Sequence, residues 1–199
     1  MNITRLQSKA LNLRKKTFDA FIKKGEAHLE SDVELKKRDT GTSIAIDGVC
    51  LTLIKYKIIK KKKNQLFFNI SPETLKISNL DKKELGYIFN LEKSLKYGDE
   101  IAGHFVQGHV DDTGKIYSIS KIRNSWKFWI IINNKFRKYL IKKGSVAING
   151  VSLTINDIKK NLLRIDIIPH TFKKTNFAHL SKGSRVNLEY DLLIKYLKK

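Results

Sequence analysis

Thr42-Ser-Ile-Ala-Ile-Asp-Gly-Val-Cys-Leu-Thr-Leu53 occurs a second time, little changed, as Gly144-Ser-Val-Ala-Ile-Asn-Gly-Val-Ser-Leu-Thr-Ile155. Asp47 and Asn149 stand 102 positions apart, as do Cys50 and Ser152, so the two copies align without a gap. Each copy is an apolar, partly β-branched run, an Asp-Gly or Asn-Gly pair, and a second such run. That pattern predicts a β-hairpin closed by a two-residue turn.

The repeat extends outward on both sides. Residues 54–59 lead into Lys60-Lys-Lys-Lys-Asn64 and then Leu66-Phe-Phe-Asn-Ile70; residues 155–158 lead into Lys159-Lys-Asn161 and then residues 162–168. The lysine clusters fall at equivalent turns, where solvation explains them. Further on the offset becomes 97: Pro72 maps onto Pro169, Asn79 onto Asn176, Gly86 onto Gly183, and Asn90-Leu-Glu92 onto Asn187-Leu-Glu189. The two prolines lie at one repeat position and predict the same strand-ending interruption twice. Trp126-Lys-Phe-Trp-Ile-Ile-Ile132 favours a strand, residues 136–140 a short helical turn, and residues 191–199 an amphipathic helix with cations in its last turn. That helix either docks on its own domain or forms a subunit contact. In residues 1–33, Leu11, Phe18, Phe21 and Ile22 recur at helical spacing among lysines and arginines, and nothing strand-like precedes Asp32-Val-Glu-Leu35.

A chain of 199 residues with two such units predicts two domains of similar size. The formal charge of +21 raises the question of a nucleic-acid partner. The lysines are scattered and no nucleic-acid motif accompanies them, so a general surplus of Lys, Ile and Asn accounts for the charge. Cys50 is the lone cysteine, which excludes an internal disulfide and a zinc cluster and fits a reducing cytoplasm. No apolar run approaches the ~20 residues of a membrane span.

Repeated short strands with hairpins predict an all-β fold of two similar barrels, and two barrels predict two equivalent ligand sites. The candidate reactive groups are Cys50, Ser152, His104, His109, His170 and Asp191. A lone buried cysteine is often inert, and a strand serine often only a strand hydroxyl. There is no nucleophile elbow, phosphate loop or dinucleotide fingerprint. Residue patterns end there: two barrels and two ligand sites, with the reaction open.

Asp47-Gly-Val-Cys-Leu-Thr52, Ser71-Pro-Glu-Thr74, Gly98-Asp-Glu-Ile-Ala-Gly-His-Phe-Val-Gln-Gly-His109, Asn149-Gly-Val-Ser-Leu-Thr154, Ile167-Ile-Pro-His-Thr171 and Val186-Asn-Leu-Glu189 resemble the riboflavin synthase family of double lumazine-binding barrels. The resemblance runs from about Gly41 to the C-terminus. It implies two six-stranded Greek-key barrels in tandem, residues 1–97 and 98–190, followed by a short C-terminal α-helix at 191–199. It also implies a homotrimer, association with lumazine synthase, and a dismutation of two molecules of 6,7-dimethyl-8-ribityllumazine without cofactor or metal. The alternative it leaves is a catalytically impaired lumazine- or flavin-binding protein on the same barrels.

By the same resemblance, Cys50, Leu51 and Thr52 of one barrel and Ser152, Leu153 and Thr154 of the other hold the ring. Asn69, Ile70, Ser71, Pro72, Glu73 and Thr74, and likewise Asp166, Ile167, Ile168, Pro169, His170 and Thr171, hold its other edge and the ribityl chain. Gly108, His109, Val110 and Lys143 complete the second-barrel site. Ser152, Cys50 and His109 are expected nearest the chemistry, with His104, Thr154 and Asp191 in support. The chain departs from the family in three places. Its start lacks the usual Met-Phe-Thr-Gly-Ile counterpart of Gly108-His-Val110, Asn149 replaces an Asp common in the family, and Gln107 replaces a small residue.

Overall fold

The computed structural model describes residues 21–23, 26–31, 33–36, 39–60, 63–80, 87–101 and 103–198. The first half contributes β1 (Phe21–Lys23), β2 (Glu26–Ser31), β3 (Ser43–Ile46), β4 (Val49–Lys60), β5 (Lys63–Asn69), α1 (Pro72–Ile77) and β6 (Leu91–Lys93). The second contributes β7 (Asp112–Ile122), β8 (Ser125–Ile131), β9 (Ser145–Ile148), β10 (Val151–Lys159), β11 (Leu162–Ile167), α2 (Pro169–Lys174), β12 (Arg185–Tyr190) and α3 (Leu192–Leu197). A 3-10 turn at Asn134–Tyr139 covers the stretch expected to be helical.

The duplicated phrase forms the two predicted hairpins. Ile46 faces Val49 across β3–β4, and Ile148 faces Val151 across β9–β10. Asp47 and Gly48 have φ of +46° and +74°, and Asn149 and Gly150 have +48° and +80°. Two successive left-handed residues make the turn that matches the twist of paired strands, and Asp, Asn and Gly tolerate it best. Further along, β4 shifts register between Leu53 and Lys55, and β10 between Ile155 and Asp157. These bulges stand at the same repeat position, where an extra residue bends each long strand around its core.

Strand order is β1-β2-β5-β4-β3-β6 in the first sheet and β10-β11-β8-β7-β12-β9, closed, in the second barrel. Starting the second at β7 gives β7-β8-β11-β10-β9-β12, the same order. The closing pair of the second barrel is β7–β12, with Lys115 opposite Arg185; among the described residues β1 pairs only with β2. Alternate residues point inward. Ile44, Ile46, Leu51, Leu53, Leu66 and Phe68 form one core, and Val146, Ile148, Leu153, Ile155, Leu163 and Ile165 form the other.

One expectation needs correction. Strand structure begins at Phe21 and not at Asp32, because β1 and β2 precede it; the basic residues 1–20, with Leu11 and Phe18, lie outside the described residues. In β2, Ala27, Leu29 and Ser31 are buried, and Glu26, His28 and Glu30 alternate with them. The period is correct, but only two of the six residues are apolar, so the pairing with Phe68 and Leu66 of β5 decides the strand. The prolines follow the ends of β5 and β11, where the interruption was expected, and each also opens a helix. Pro72 and Pro169 occupy the first helical turn, where a missing amide donor costs nothing.

The hairpin turns of the two halves meet back to back. A Cβ on Gly48 would lie 2.6 Å from the Gly150 nitrogen. Around this contact the polar residues repeat in pairs. Asn90 N–H donates to Asp47 Oδ1 and Asn187 N–H to Asn149 Oδ1, both at 2.8 Å. Asn90 Nδ2 donates to the Asn149 carbonyl and Asn187 Nδ2 to the Asp47 carbonyl, both at 2.9 Å. Asn176 N–H donates to Asn90 Oδ1, and Asn79 N–H to Asn187 Oδ1. Bonds within and between the halves thus engage most of the buried polar groups of the junction, as a low-dielectric site requires, with Asn79 Oδ1 left without a partner among the described residues. The symmetry breaks where Asp47 carries a carboxylate and Asn149 an amide: Asn176 Nδ2 donates to Asp47 Oδ1, whereas Asn79 Nδ2 donates to the Arg185 carbonyl. Tyr87 Oη donates to Asp47 Oδ2 at 3.0 Å, and burial together with that carboxylate drives the phenol pKa far upward.

Candidate functional site

On β4 and β10 the alternation separates core from site. Leu51 and Leu153 are buried, whereas Cys50 and Ser152 are half-buried and Thr52 and Thr154 exposed, on the opposite faces of their strands. Ile70 and Ile167 likewise lie in the cores. Asn69 is exposed at the end of β5. Its counterpart Asp166 is gripped by Arg164, with Nε 3.0 Å from Oδ1 and Nη2 2.6 Å from Oδ2, while the Asp166 N–H donates to Asn156 Oδ1.

At the helix starts, Ser71 accepts the Thr74 N–H at 3.1 Å and caps α1, leaving Pro72 and Glu73 exposed. In the second half Ile168, Pro169 and His170 are exposed, whereas Thr171 is buried and its carbonyl accepts Thr175 Oγ1. Thr171 therefore holds α2 rather than facing solvent.

Lys143 is exposed and has φ +70°. Its N–H donates to the Ile155 carbonyl as the N–H of its repeat mate Gly41 donates to that of Leu53, both at 2.8 Å. The first half uses glycine, with φ +85°, for this bend; the second carries a lysine there, against a left-handed penalty of about 1–2 kcal/mol.

The linker before β7 passes both edges. Gly103, φ +93°, leaves no room for a side chain, since its Cβ would stand 2.5 Å from Ser152 Oγ. Next to it, His104 Nδ1 shares a hydrogen bond with Ser152 Oγ at 2.8 Å. Burial lowers the His104 pKa, and the charge of Asp191 partly opposes that. His104 is therefore a neutral imidazole near pH 7. Its Nε2 is buried without a hydrogen-bond partner among the described residues. Asp191 also accepts the Leu193 N–H at 3.0 Å and so caps α3. The lysine of that helix, Lys195, lies 3.0 Å from Asp111.

Within this chain Gly108, His109 and Val110 lie beside Cys50 rather than Ser152. The Gly108 carbonyl accepts the Cys50 N–H at 2.8 Å, and a Cβ on Gly108 would stand 2.7 Å from that of Cys50. Val110, 7% exposed, packs into the core of the first half. His109, exposed, is held between them on the Cys50 side. The cause lies in β12: Glu189 accepts the N–H groups of Gln107 and Gly108 and carries the linker to the first half. Burial raises the Glu189 pKa while those two amides oppose it. Its repeat mate Glu92 is pushed up to about 7 by burial.

The geometry is thus two edges of one design, Cys50–Thr52 and Ser152–Thr154, joined by one glycine-rich linker. A lumazine-binding-domain family model matches residues 6–94 and again 107–191. The riboflavin synthase of Actinobacillus pleuropneumoniae is 39% identical over 157 residues, covering 79% of this chain and 71% of that protein. The chain belongs to the riboflavin synthase family. A second relative, the riboflavin synthase of Buchnera aphidicola subsp. Schizaphis graminum, is 39% identical over 162 residues, covering 81% of this chain and 76% of its own. That of Bacillus subtilis is 37% identical over 157 residues, 79% and 71% of the two chains. Among solved structures, LumP complexed with riboflavin superposes with a TM-score of 0.74 at 20% identity, covering 88% of this chain and 94% of LumP, which is a likeness of fold.

Among the described residues there is no group of three or more His, Cys, Asp or Glu suited to a metal ion, and no helix long and apolar enough to cross a membrane. Sequence reasoning assigned no role to Glu189 or to the junction asparagines of this family member. The signal was present: Asn79, Asn90 and Glu92 recur at one offset, and a polar residue kept in both repeats is a candidate for a buried hydrogen bond.

Proposed function

We propose that the chain is a riboflavin synthase, dismutating two molecules of 6,7-dimethyl-8-ribityllumazine to riboflavin and 5-amino-6-ribitylamino-uracil by moving a four-carbon unit from one to the other. The observation that carries this reading is the duplicated edge, Cys50–Thr52 and Ser152–Thr154, with the Ser152–His104 hydrogen bond of 2.8 Å at the second copy. Two similar sites suit a reaction between two copies of one molecule. The C7 methyl of the lumazine is acidic because the ring delocalises the carbanion. The protein's task is therefore to orient the rings, accept a proton and hydrogen-bond the charge.

At the second edge the neutral His104 is the proton acceptor, Ser152 fixes its ring, and Asp191 favours the imidazolium once formed. Thr154 and the Lys143 ammonium bind the polar rim of the ring. At the first edge Cys50, Thr52 and the Gly108 carbonyl bind the partner molecule, with His109 beside it. Ser71, Pro72, Glu73 and Thr74, and on the other side Ile168, Pro169 and His170, border the ribityl chains. The working form is a homotrimer in the cytoplasm, where Cys50 stays reduced. The exposed Leu193 and Leu197 of α3, with Leu95 and Tyr97, support the oligomer because they present apolar surface.

The test is the purified chain mixed with the ribityllumazine alone. The expected result is riboflavin absorbance, with one riboflavin and one pyrimidine formed for every two lumazines consumed. Tight lumazine binding without riboflavin would replace the enzyme by a lumazine-binding protein on the same barrels.

A further inference from the structure

We propose that Glu189 is a positioning residue for the Cys50 site, although it belongs to the last strand of the other barrel; this rests on the reading of Cys50–Thr52 as a ligand edge. Glu189 is 4% exposed, and both its oxygens are engaged: Oε1 accepts the Gln107 N–H at 2.8 Å and Oε2 the Gly108 N–H at 2.9 Å. Burying a carboxylate is costly, and only strong acceptor bonds offset it. Here the bonds converge on two consecutive amides, an arrangement that the left-handed Gly108, φ +79°, makes available. The linker is fixed just beyond this grip as well. Asp111 N–H donates to the Leu188 carbonyl at 2.9 Å, Tyr190 N–H donates to Asp111 Oδ2 at 2.8 Å, and Lys195 of α3 pairs with the same carboxylate.

The consequence is felt at Cys50. With its amide held by Glu189, Gly108 turns its carbonyl onto the Cys50 N–H and lies against the Cys50 side chain. His109 and Val110 follow in fixed places. Glu189 thus sets one wall of a site it does not touch. A neutral amide cannot replace it: in Glu189→Gln one of the two linker N–H groups faces an NH2 group instead of an oxygen.

Cys50 is the lone cysteine, so the rate at which a thiol reagent modifies it reports the cover over this site without any lumazine. Glu189→Gln is expected to speed that modification at least about tenfold, as the loss of a charge-assisted hydrogen bond allows. In lumazine titrations it is expected to weaken one of two sites by a similar factor and leave the Ser152 site unchanged. Lys182→Ala, on an exposed turn near β12, is expected to change neither. Gly108→Ala approaches from the other side, leaves Glu189 intact, and is expected to give the same two effects even if Glu189→Gln does not fold. A wild-type Cys50 rate in a folded Glu189→Gln or Gly108→Ala variant, or equal weakening of both sites, would overturn the proposal. If the wild-type chain binds no lumazine, the functional reading fails, while the thiol rates still decide the role of Glu189.

Discussion

Gly48→Ala is expected to destabilise the chain more than Gly98→Ala, although both glycines are left-handed, at φ +74° and +85°. An alanine in that region costs about 1–2 kcal/mol at either position. At Gly98 nothing lies within 4 Å of the new Cβ, so the cost ends there. At Gly48 the Cβ would meet the Gly150 nitrogen at 2.6 Å and its Cα at 2.9 Å, both backbone atoms of the opposite hairpin. Relieving that overlap pushes the two turns apart and stretches the paired asparagine bonds, adding roughly 1–3 kcal/mol. The totals are about 2–5 kcal/mol for Gly48→Ala and about 1–2 for Gly98→Ala, or roughly 10 °C against a few degrees in Tm for a chain of this size. Far-UV circular dichroism reads both halves, whereas the two tryptophans, Trp126 and Trp129, lie in β8 and read the second barrel alone. Gly48→Ala is therefore also expected to separate the two melting curves. Equal Tm losses in the two variants would show that the back-to-back turns do not brace the halves.

Other outcomes follow from the site. Since burial holds His104 below its ordinary pKa, the acid limb of activity should fall below pH 6.5, and Asp191→Asn, removing the charge that opposes this, should move it lower still; a limb unmoved by that change would dissociate Asp191 from His104. Lys143→Gly should raise Tm by a few degrees through relief of about 1 kcal/mol of left-handed strain, and weaken lumazine binding about tenfold; unchanged affinity would remove Lys143 from the site. Glu92, raised from 4.5 to about 7, favours the folded state in its protonated form, so its contribution is present below pH 4.5 and is lost as pH rises through 7. Glu92→Gln should accordingly melt higher than the wild type at pH 8 and nearly with it at pH 5, and a constant difference across that range would refute the assignment.

The hairpins were legible because their information is local. Asp47-Gly48 and Asn149-Gly150 specify a turn, and the flanking alternation specifies which face is buried. The matching offsets also carried the order of strands from one half to the other. β2 was not legible, since Glu26-Ala-His-Leu-Glu-Ser31 has a strand's period without a strand's composition and takes its state from β5. The placement of Gly108 was hidden for a different reason. Its partner Cys50 lies 58 positions earlier and the residue that fixes it, Glu189, lies 81 positions later, so no window of the sequence contains both.

That placement explains how a duplicated fold comes to hold unequal sites. Cys50 and Ser152 occupy one repeat position, with the same strand, turn and bulge around them. A single linker of fixed direction must pass both, and it meets Ser152 at its beginning and Cys50 at its end. From Gly103 to Gly108 it spans at most ~18 Å, so it has room for one group at each edge and not for a symmetric set. Ser152 receives an imidazole that is neutral near pH 7, and Cys50 receives a backbone carbonyl with an exposed histidine beside it. On the proposed function, two identical molecules at these edges would meet similar strands but different chemistry, as a dismutation demands of two copies of one substrate. The asymmetry therefore lies in the connection between the repeats as much as in the exchange of cysteine for serine.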